Sequence, residues 1–198
     1  LYMRLTSKTS LVMEYQGGEI TYLHIFDSEI HDSRQNNFLA GLEGKLTPKL
    51  TLNLRAGYQM RHYTQETKQD MEQVIGSASL LFQPTPYTTI DLGGERRVNE
   101  SFWGDNTYYT SSLIDGGLVQ KMGRLFSLGL SARYELLQYP EGLDGGEARE
   151  DNIMEVSPKI LCEIKNWWRA NVSYRWRQRN SNYDTEDYTE NRVEASFD

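Results

Sequence analysis

The sequence has no uninterrupted apolar stretch of the kind that crosses a membrane as a helix. Such a segment needs about 18 or more residues with few or no charges. Here 25% of the 198 residues are charged and the mean hydropathy is −0.66. A helical membrane protein is therefore excluded. A membrane barrel is not excluded, because half of every strand in such a barrel faces water.

Cysteine and net positive charge are also lacking. The single Cys162 excludes an internal disulfide and a cysteine-based metal cluster. The formal net charge of −7 argues against nucleic acid as the main partner. We expect no cofactor and no metal site from this composition.

The sequence is rich in alternating apolar and polar residues, most clearly over residues 167–179. The apolar positions are Trp168, Ala170, Val172, Tyr174 and Trp176. The polar positions are Arg169, Asn171, Ser173, Arg175, Arg177 and Arg179. Successive side chains of a strand point to opposite faces, so the pattern predicts a strand with one apolar and one charged face. Its length fits the roughly 9–11 residues that a tilted strand needs to cross a membrane.

The same pattern recurs along the whole chain. Tight turns are predicted near Lys8, Lys49, Thr85, Gly123 and Asn166, about 40 residues apart, which indicates a hairpin repeat. Short connections alternate with long polar ones, an arrangement typical of outer-membrane barrels. We count about eleven strands, the first and last cut short.

The sequence thus predicts an all-β fold, an antiparallel up-and-down transmembrane β-barrel that is part of a larger barrel. Residues 1–198 form its single domain, and we expect truncation at one or both ends because Leu1 and Asp198 fall within predicted strands. A soluble antiparallel β-sandwich or β-solenoid is the alternative. It is disfavoured because every strand is long and offers the same apolar face, which a sandwich would have to cover.

Aromatic residues collect near the strand ends, as expected where strands meet the lipid interfaces. The predicted lipid-facing girdle comprises Tyr87, Tyr139, Trp168, Tyr174 and Trp176. Further aromatic residues at the long-loop end are Tyr63, Trp103, Tyr108, Tyr109, Tyr183 and Tyr188.

Four phrases carry a resemblance to a known family. They are Leu46–Leu52 (LTPKLTL), Phe82–Thr89 (FQPTPYTT), Leu128–Tyr134 (LGLSARY) and Tyr188–Val193 (YTENRV). With them the chain resembles bacterial outer-membrane proteins of the "putative β-barrel porin" type, over nearly its whole length. The resemblance implies an outer-membrane location and an association with surface-polysaccharide gene clusters.

The polar face is the candidate functional surface. Its predicted lumen-lining residues are Arg55, Arg61, Glu95, Arg97, Arg133, Glu135, Glu155, Glu163, Arg169, Arg175, Arg177 and Arg179. They either form cross-strand ion pairs within a filled interior or line a water-filled passage that selects solutes by charge. The arginines of residues 169–179 would favour anionic solutes if exposed. The long acidic connections are solvated loops or, alternatively, divalent-cation sites.

Catalysis is not expected, because no nucleophile motif accompanies His24, His31 or His62. We therefore expect a passive or export-related pore for small polar solutes or surface polysaccharide. The alternative is an anchoring barrel with a self-filled lumen that docks other envelope proteins. The expected partners are outer-membrane lipid and lipopolysaccharide, with other envelope proteins possible and no nucleic acid.

Overall fold

The protein is described by a computed structural model that covers residues 1–21, 32–64, 70–101, 103, 106–142, 146–165 and 168–197. The strands are β1 Tyr2–Arg4, β2 Thr9–Ile20, β3 Ser33–Thr47, β4 Leu50–Tyr63, β5 Met71–Thr85, β6 Thr88–Glu100, β7 Tyr108–Met122, β8 Phe126–Gln138, β9 Glu150–Lys165, β10 Trp168–Ser181 and β11 Tyr188–Phe197. A short 3-10 helical turn, Asp184–Glu186, lies between β10 and β11.

All eleven strands form one antiparallel sheet whose spatial order is the sequence order, β1 to β11. The predicted up-and-down antiparallel arrangement is confirmed. Within the described residues β1 and β11 are not hydrogen-bonded to each other, so the sheet is open there. The described part of the chain contains no helix long and apolar enough to span a membrane.

One end of the sheet carries tight turns. Pro48–Lys49 joins β3 to β4, and Gly123 begins the turn between β7 and β8 with a φ of 72°, which favours glycine. The turn after β5 was predicted at Pro84–Pro86, but β5 continues to Thr85 and the turn is at 86–87. The turn predicted near Asn166 lies outside the described residues.

The other end carries the long connections, and there the strands are longer than predicted. Strand β3 starts at Ser33, although the alternation begins only near Asn37. Strand β9 starts at Glu150, although the alternation of its apolar residues begins only near Met154. Both extensions consist mostly of polar residues, which carry no apolar periodicity from which to predict a strand.

The strand register places most of the exposed apolar side chains on one face. Leu128 is paired with Ile160, and Ile160 with Val172, so the three side chains lie side by side on β8, β9 and β10. They remain 42%, 51% and 49% exposed in the isolated chain. A face of this extent left open to water would be very unfavourable, whereas lipid covers it in a membrane barrel.

The buried core is small and lies near the long-loop end of the sheet. One cluster contains Tyr63, Met71, Ile75 and Val98, and a second contains Leu137, Tyr139 and Ile153. Among the described residues, this core therefore packs the outer part of the sheet only.

Candidate functional site on the polar face of the sheet

Tyrosines on the apolar face mark one membrane boundary. The hydroxyl of Tyr134 donates a hydrogen bond to Asn152 Oδ1 at 2.5 Å, and that of Tyr174 donates to Asn191 Oδ1 at 2.6 Å. Tyr15 donates to Asn36 Oδ1 at 2.8 Å and Tyr58 to Glu72 Oε2 at 3.1 Å. Each partner lies on the next strand, toward the long connections. A tyrosine with an apolar ring and a polar tip is typical of the membrane–water interface.

Phe126 marks the opposite boundary, at the start of β8 beside the tight turn. Tyr134 lies eight positions after Phe126 on the same strand. That is about 26 Å along the strand, or about 20 Å along the membrane normal at a tilt of about 40°. The value is close to the apolar band of about 25 Å in outer-membrane barrels.

The predicted girdle residues divide between the two faces. Trp168, Tyr174 and Trp176 share the apolar face of β10, and Tyr87 lies in the tight turn after β5, 58% exposed. Tyr139 was predicted wrongly. Its odd number continues the polar-face positions of β8, and its ring is 9% exposed and packed among Leu137 and Ile153.

The predicted lumen-lining arginines of β10 are close to carboxylates. Arg169 lies 3.5 Å from Glu163, and Arg175 lies 3.9 Å from Glu155. Arg179 contacts both Asp151 and Glu186. Arg177 is instead placed over the ring of Tyr188, 5.8 Å from its centroid. The positive wall expected from the sequence is thus largely neutralised by its neighbours.

The remaining predicted lumen-lining residues share this face. Arg55 pairs with Glu43 at 2.6 Å, and Glu95 lies 3.8 Å from Arg97. Glu135 accepts a hydrogen bond from the Ser111 hydroxyl at 2.5 Å.

Arg61 and Arg133 differ in both burial and ion pairing. Arg61 is buried, and it donates to Glu100 at 2.7 Å and to Gln35 at 2.6 Å. Arg133 is exposed and lies in register between Asp115 and Glu155, with no ion pair closer than 4 Å among the described residues.

A hollow of about 340 Å³ opens on the polar face at mid-height, over β5 to β7. Ser77 and Ser79 lie at its wall, together with the carboxylates of Asp91 and Asp115. Gly93 is directly opposite Asp115, and a Cβ there would lie 2.6 Å from the Asp115 carboxylate. The glycine therefore leaves room for an acidic side chain to lie flat against the wall.

The outer end of the same face is closed by a cluster that the sequence analysis missed. Arg149 is 2% exposed and Asp151 0%, and the guanidinium Nε donates to Asp151 Oδ1 at 3.0 Å. The guanidinium carbon also lies over two rings, 4.5 Å from the Trp103 centroid and 4.8 Å from that of Tyr139. Glu186 lies 3.0 Å from the same guanidinium.

This cluster joins three long connections. Asn106 bridges to Glu141, accepting from its backbone N–H and donating to its carbonyl, both at 2.8 Å. The hydroxyl of Tyr183 donates to the Glu147 carbonyl at 2.7 Å, and Asn182 donates to the Ala148 carbonyl at 2.8 Å. We call these residues, together with Trp103, Tyr139, Arg149, Asp151 and Glu186, the outer latch.

The candidate histidines do not form a catalytic constellation within the described residues. His62 Nδ1 lies 2.6 Å from Asp70 Oδ2, and both side chains are exposed. The hydrogen bond from His62 lowers the pKa of Asp70. His24 and His31 lie outside the described residues. No group of three His, Cys, Asp or Glu side chains in the described part of the chain is arranged to hold a metal ion.

Comparison with protein families gives a match over nearly the whole chain. The family model described as "Putative beta-barrel porin 2" matches residues 2–198. The chain belongs to this porin family. It is a bacterial outer-membrane protein, as the resemblance in its sequence implied. No curated protein matches it.

Two solved structures share the fold. The FrpB iron transporter of Neisseria meningitidis (F3-3 variant) superimposes with a TM-score of 0.67 at 10% sequence identity. The superposition covers 91% of this chain and 34% of the FrpB chain. A loop L8 deletion mutant of OmpT, an outer membrane protein of Vibrio cholerae, gives a TM-score of 0.54 at 9% identity, covering 97% of this chain and 76% of its own. The porin family member thus spans about a third of the FrpB chain. The family match and the shared fold both identify an outer-membrane β-barrel architecture.

Proposed function

We propose that the polar face of the sheet lines a water-filled pore through the outer membrane for small polar solutes. The hollow at mid-height carries this proposal, because it leaves Asp91 and Asp115 facing open space between the two aromatic boundaries. A wall built only to pack a core would fill this position with apolar side chains. Serine and glycine at the wall leave the hollow open.

The charges on the wall suggest what passes. Asp91 and Asp115 lie on β6 and β7, whereas exposed Arg133 and Lys159 lie on β8 and β9. Separated charges of both signs, with hydroxyls between them, fit polar solutes that carry many hydrogen-bonding groups better than they fit ions of one sign. Small solutes and an extended strand of surface polysaccharide both meet this description, the latter as a substrate for export.

We propose passage rather than catalysis as the role of this face. The His62–Asp70 pair lies beyond the Tyr58 boundary at the long-loop end and is open to solvent. An exposed pair of this kind stabilises the connection between β4 and β5 without needing a substrate.

The alternative function is an anchoring barrel whose interior is filled by its own side chains. The outer latch favours it, because Arg149 and Asp151 are buried and joined to three connections on the polar face. In the pore proposal the outer latch narrows the extracellular opening of the lumen, which is wider at mid-height. The two functions differ in whether a continuous water path remains.

Single-channel conductance of the full-length protein in planar bilayers tests the proposal. A pore gives discrete steps, and Asp115→Asn lowers the ratio of cation to anion permeability. Glu150→Gln is the matched control, since Glu150 is an exposed carboxylate on the opposite face of β9 and should leave that ratio unchanged. The absence of conductance steps from correctly folded protein would leave only the anchoring function.

A further inference from the structure

One charged side chain lies on the lipid-facing side of the sheet between the aromatic boundaries. In the described strands, every other position of the apolar face between these boundaries is uncharged, but β6 places Arg96 there. Its partners in register are Gly76 on β5 and Ser112 on β7. Arg96 Nη1 donates to the Ser112 hydroxyl at 2.8 Å, which fixes the guanidinium on this face.

The height of Arg96 follows from the tyrosines on either side. Tyr58 lies on β4. Counting only residues of the apolar face, it is one position nearer the long connections than the β4 residue in register with Arg96. Tyr134 lies on β8 and, counted in the same way, is one position nearer the tight turns than the β8 residue in register with Arg96. Because barrel strands are tilted, a line at constant depth steps through the register as it crosses successive strands. The line from Tyr58 to Tyr134 therefore crosses β6 at Arg96.

Arg96 consequently lies at the outer membrane–water boundary. Long connections of outer-membrane barrels are extracellular, so this boundary belongs to the outer leaflet. An arginine on the lipid side is costly at mid-depth and tolerated near the interface. At this depth it can meet the charged headgroups of lipids directly.

The guanidinium has donors to spare. Arginine carries five N–H donors in a planar fork, and Ser112 is the one hydrogen-bond partner of the Arg96 side chain among the described residues. Gly76 and Gly94 flank Arg96 on the same face, and a Cβ at Gly94 would meet no atom closer than 3.7 Å. Arg96 is half-buried, and the space over Gly94 leaves an approach to it from the lipid side. A phosphate is the group that such a fork binds best, through two parallel hydrogen bonds.

We propose that Arg96 binds a phosphate of lipopolysaccharide in the outer leaflet, with Ser112 orienting the guanidinium. The acyl chains then lie on the apolar face below it, over the small residues Ala78 and Gly94. This site is on the outside of the sheet and is separate from the polar face. It holds whether or not the barrel conducts.

The test uses the full-length protein extracted from outer membranes in mild detergent. Lipopolysaccharide that remains bound is counted by native mass spectrometry for the wild type, Arg96→Gln and Arg97→Gln. Arg97 is the matched control, because it is the next residue and lies on the polar face beside Glu95. Loss of a hydrogen-bonded charge predicts roughly tenfold weaker retention for Arg96→Gln and no change for Arg97→Gln.

A second arm keeps the test decisive if Arg96→Gln folds poorly. The wild-type protein is offered lipid A or dephosphorylated lipid A in vesicles. We expect binding to lipid A about tenfold tighter than to the dephosphorylated form. Equal binding of the two would overturn the proposal. Equal retention of lipopolysaccharide by Arg96→Gln and Arg97→Gln would also overturn it. So would an Arg96→Gln variant that keeps its lipopolysaccharide and changes only the number of protein copies in the complex.

Discussion

Replacing Asp151 with Asn tests whether the outer latch is held by its buried ion pair. The substitution keeps the size of the side chain and removes its charge. Arg149, which is 2% exposed, then keeps only Glu186 as an anionic partner, at 3.0 Å. Arg179 also loses its contact with Asp151.

The size of the effect follows from the burial. Removing one partner of a buried pair costs about 3–5 kcal/mol, because the other charge remains buried without compensation. Since Glu186 remains, we take the lower limit, about 3 kcal/mol. That raises the population of the open latch about 100-fold at 1.4 kcal/mol for each factor of ten. The barrel strands below the latch are unaffected, so the opening is local.

Hydrogen exchange in vesicle-embedded protein measures this opening. The amide of Tyr139, which donates to the Arg149 carbonyl at 2.9 Å, should exchange about 100-fold faster in Asp151→Asn. Glu150→Gln is the control, since the adjacent carboxylate is exposed and should change the rate by less than about threefold. Equal rates in the two variants would refute the claim that the ion pair holds the latch.

Three further outcomes follow from the geometry. The lowered pKa of Asp70 means that its hydrogen bond with His62 stabilises the folded state above the ordinary carboxyl pKa, and that this stabilisation is lost as pH falls through the lowered value. Exchange of the Tyr63 amide, which donates to Asp70, should show this acid transition after correction for intrinsic rates, and the transition should lie at higher pH in His62→Gln than in the wild type. Gly57→Ala should abolish folding into detergent, since its Cβ would overlap the Phe38 carbonyl oxygen of β3, whereas Gly18→Ala, with no atom within 4 Å, should fold as well as the wild type by heat-modifiable gel mobility. Tyr134→Phe should lower the free energy of unfolding by about 1 kcal/mol in denaturant titrations in lipid vesicles, the value of one hydrogen bond, and a loss above about 3 kcal/mol would contradict a purely interfacial role.

Much of the fold was predictable because each strand repeats one rule. Alternation over Leu50–Met60 and Phe126–Leu136 identifies the strands, and the tight turns between them fix their antiparallel order. The rule fails where the strands leave the membrane. Beyond the tyrosine boundary neither face meets lipid, so Ser33–Asn36 and the start of β9 carry no alternation.

The sequence predicted which residues share the polar face, but not which of these residues contact each other. Alternation assigned the arginines of β10 to one face. Whether these arginines contact water or carboxylates depends on how β10 is paired in register with β9, and the sequence pattern does not predict that register. Tyr139 could have been placed correctly, because it has the same parity as Arg133 and Glu135. Arg149 could not, since its partners Trp103 and Glu186 come from different connections.

The arrangement of the two faces is tested most directly by labelling cysteines along β10 in outer membranes. In a Cys162→Ala background, single cysteines replace Val172, Ser173, Tyr174 and Arg175 in turn, and a water-soluble, membrane-impermeant maleimide is added. Positions 173 and 175 share the polar face and 172 and 174 the apolar face. We predict rapid labelling at 173 and 175 and little at 172 and 174. Equal labelling at all four, or the reverse pattern, would contradict a wall with lipid on one side and water on the other.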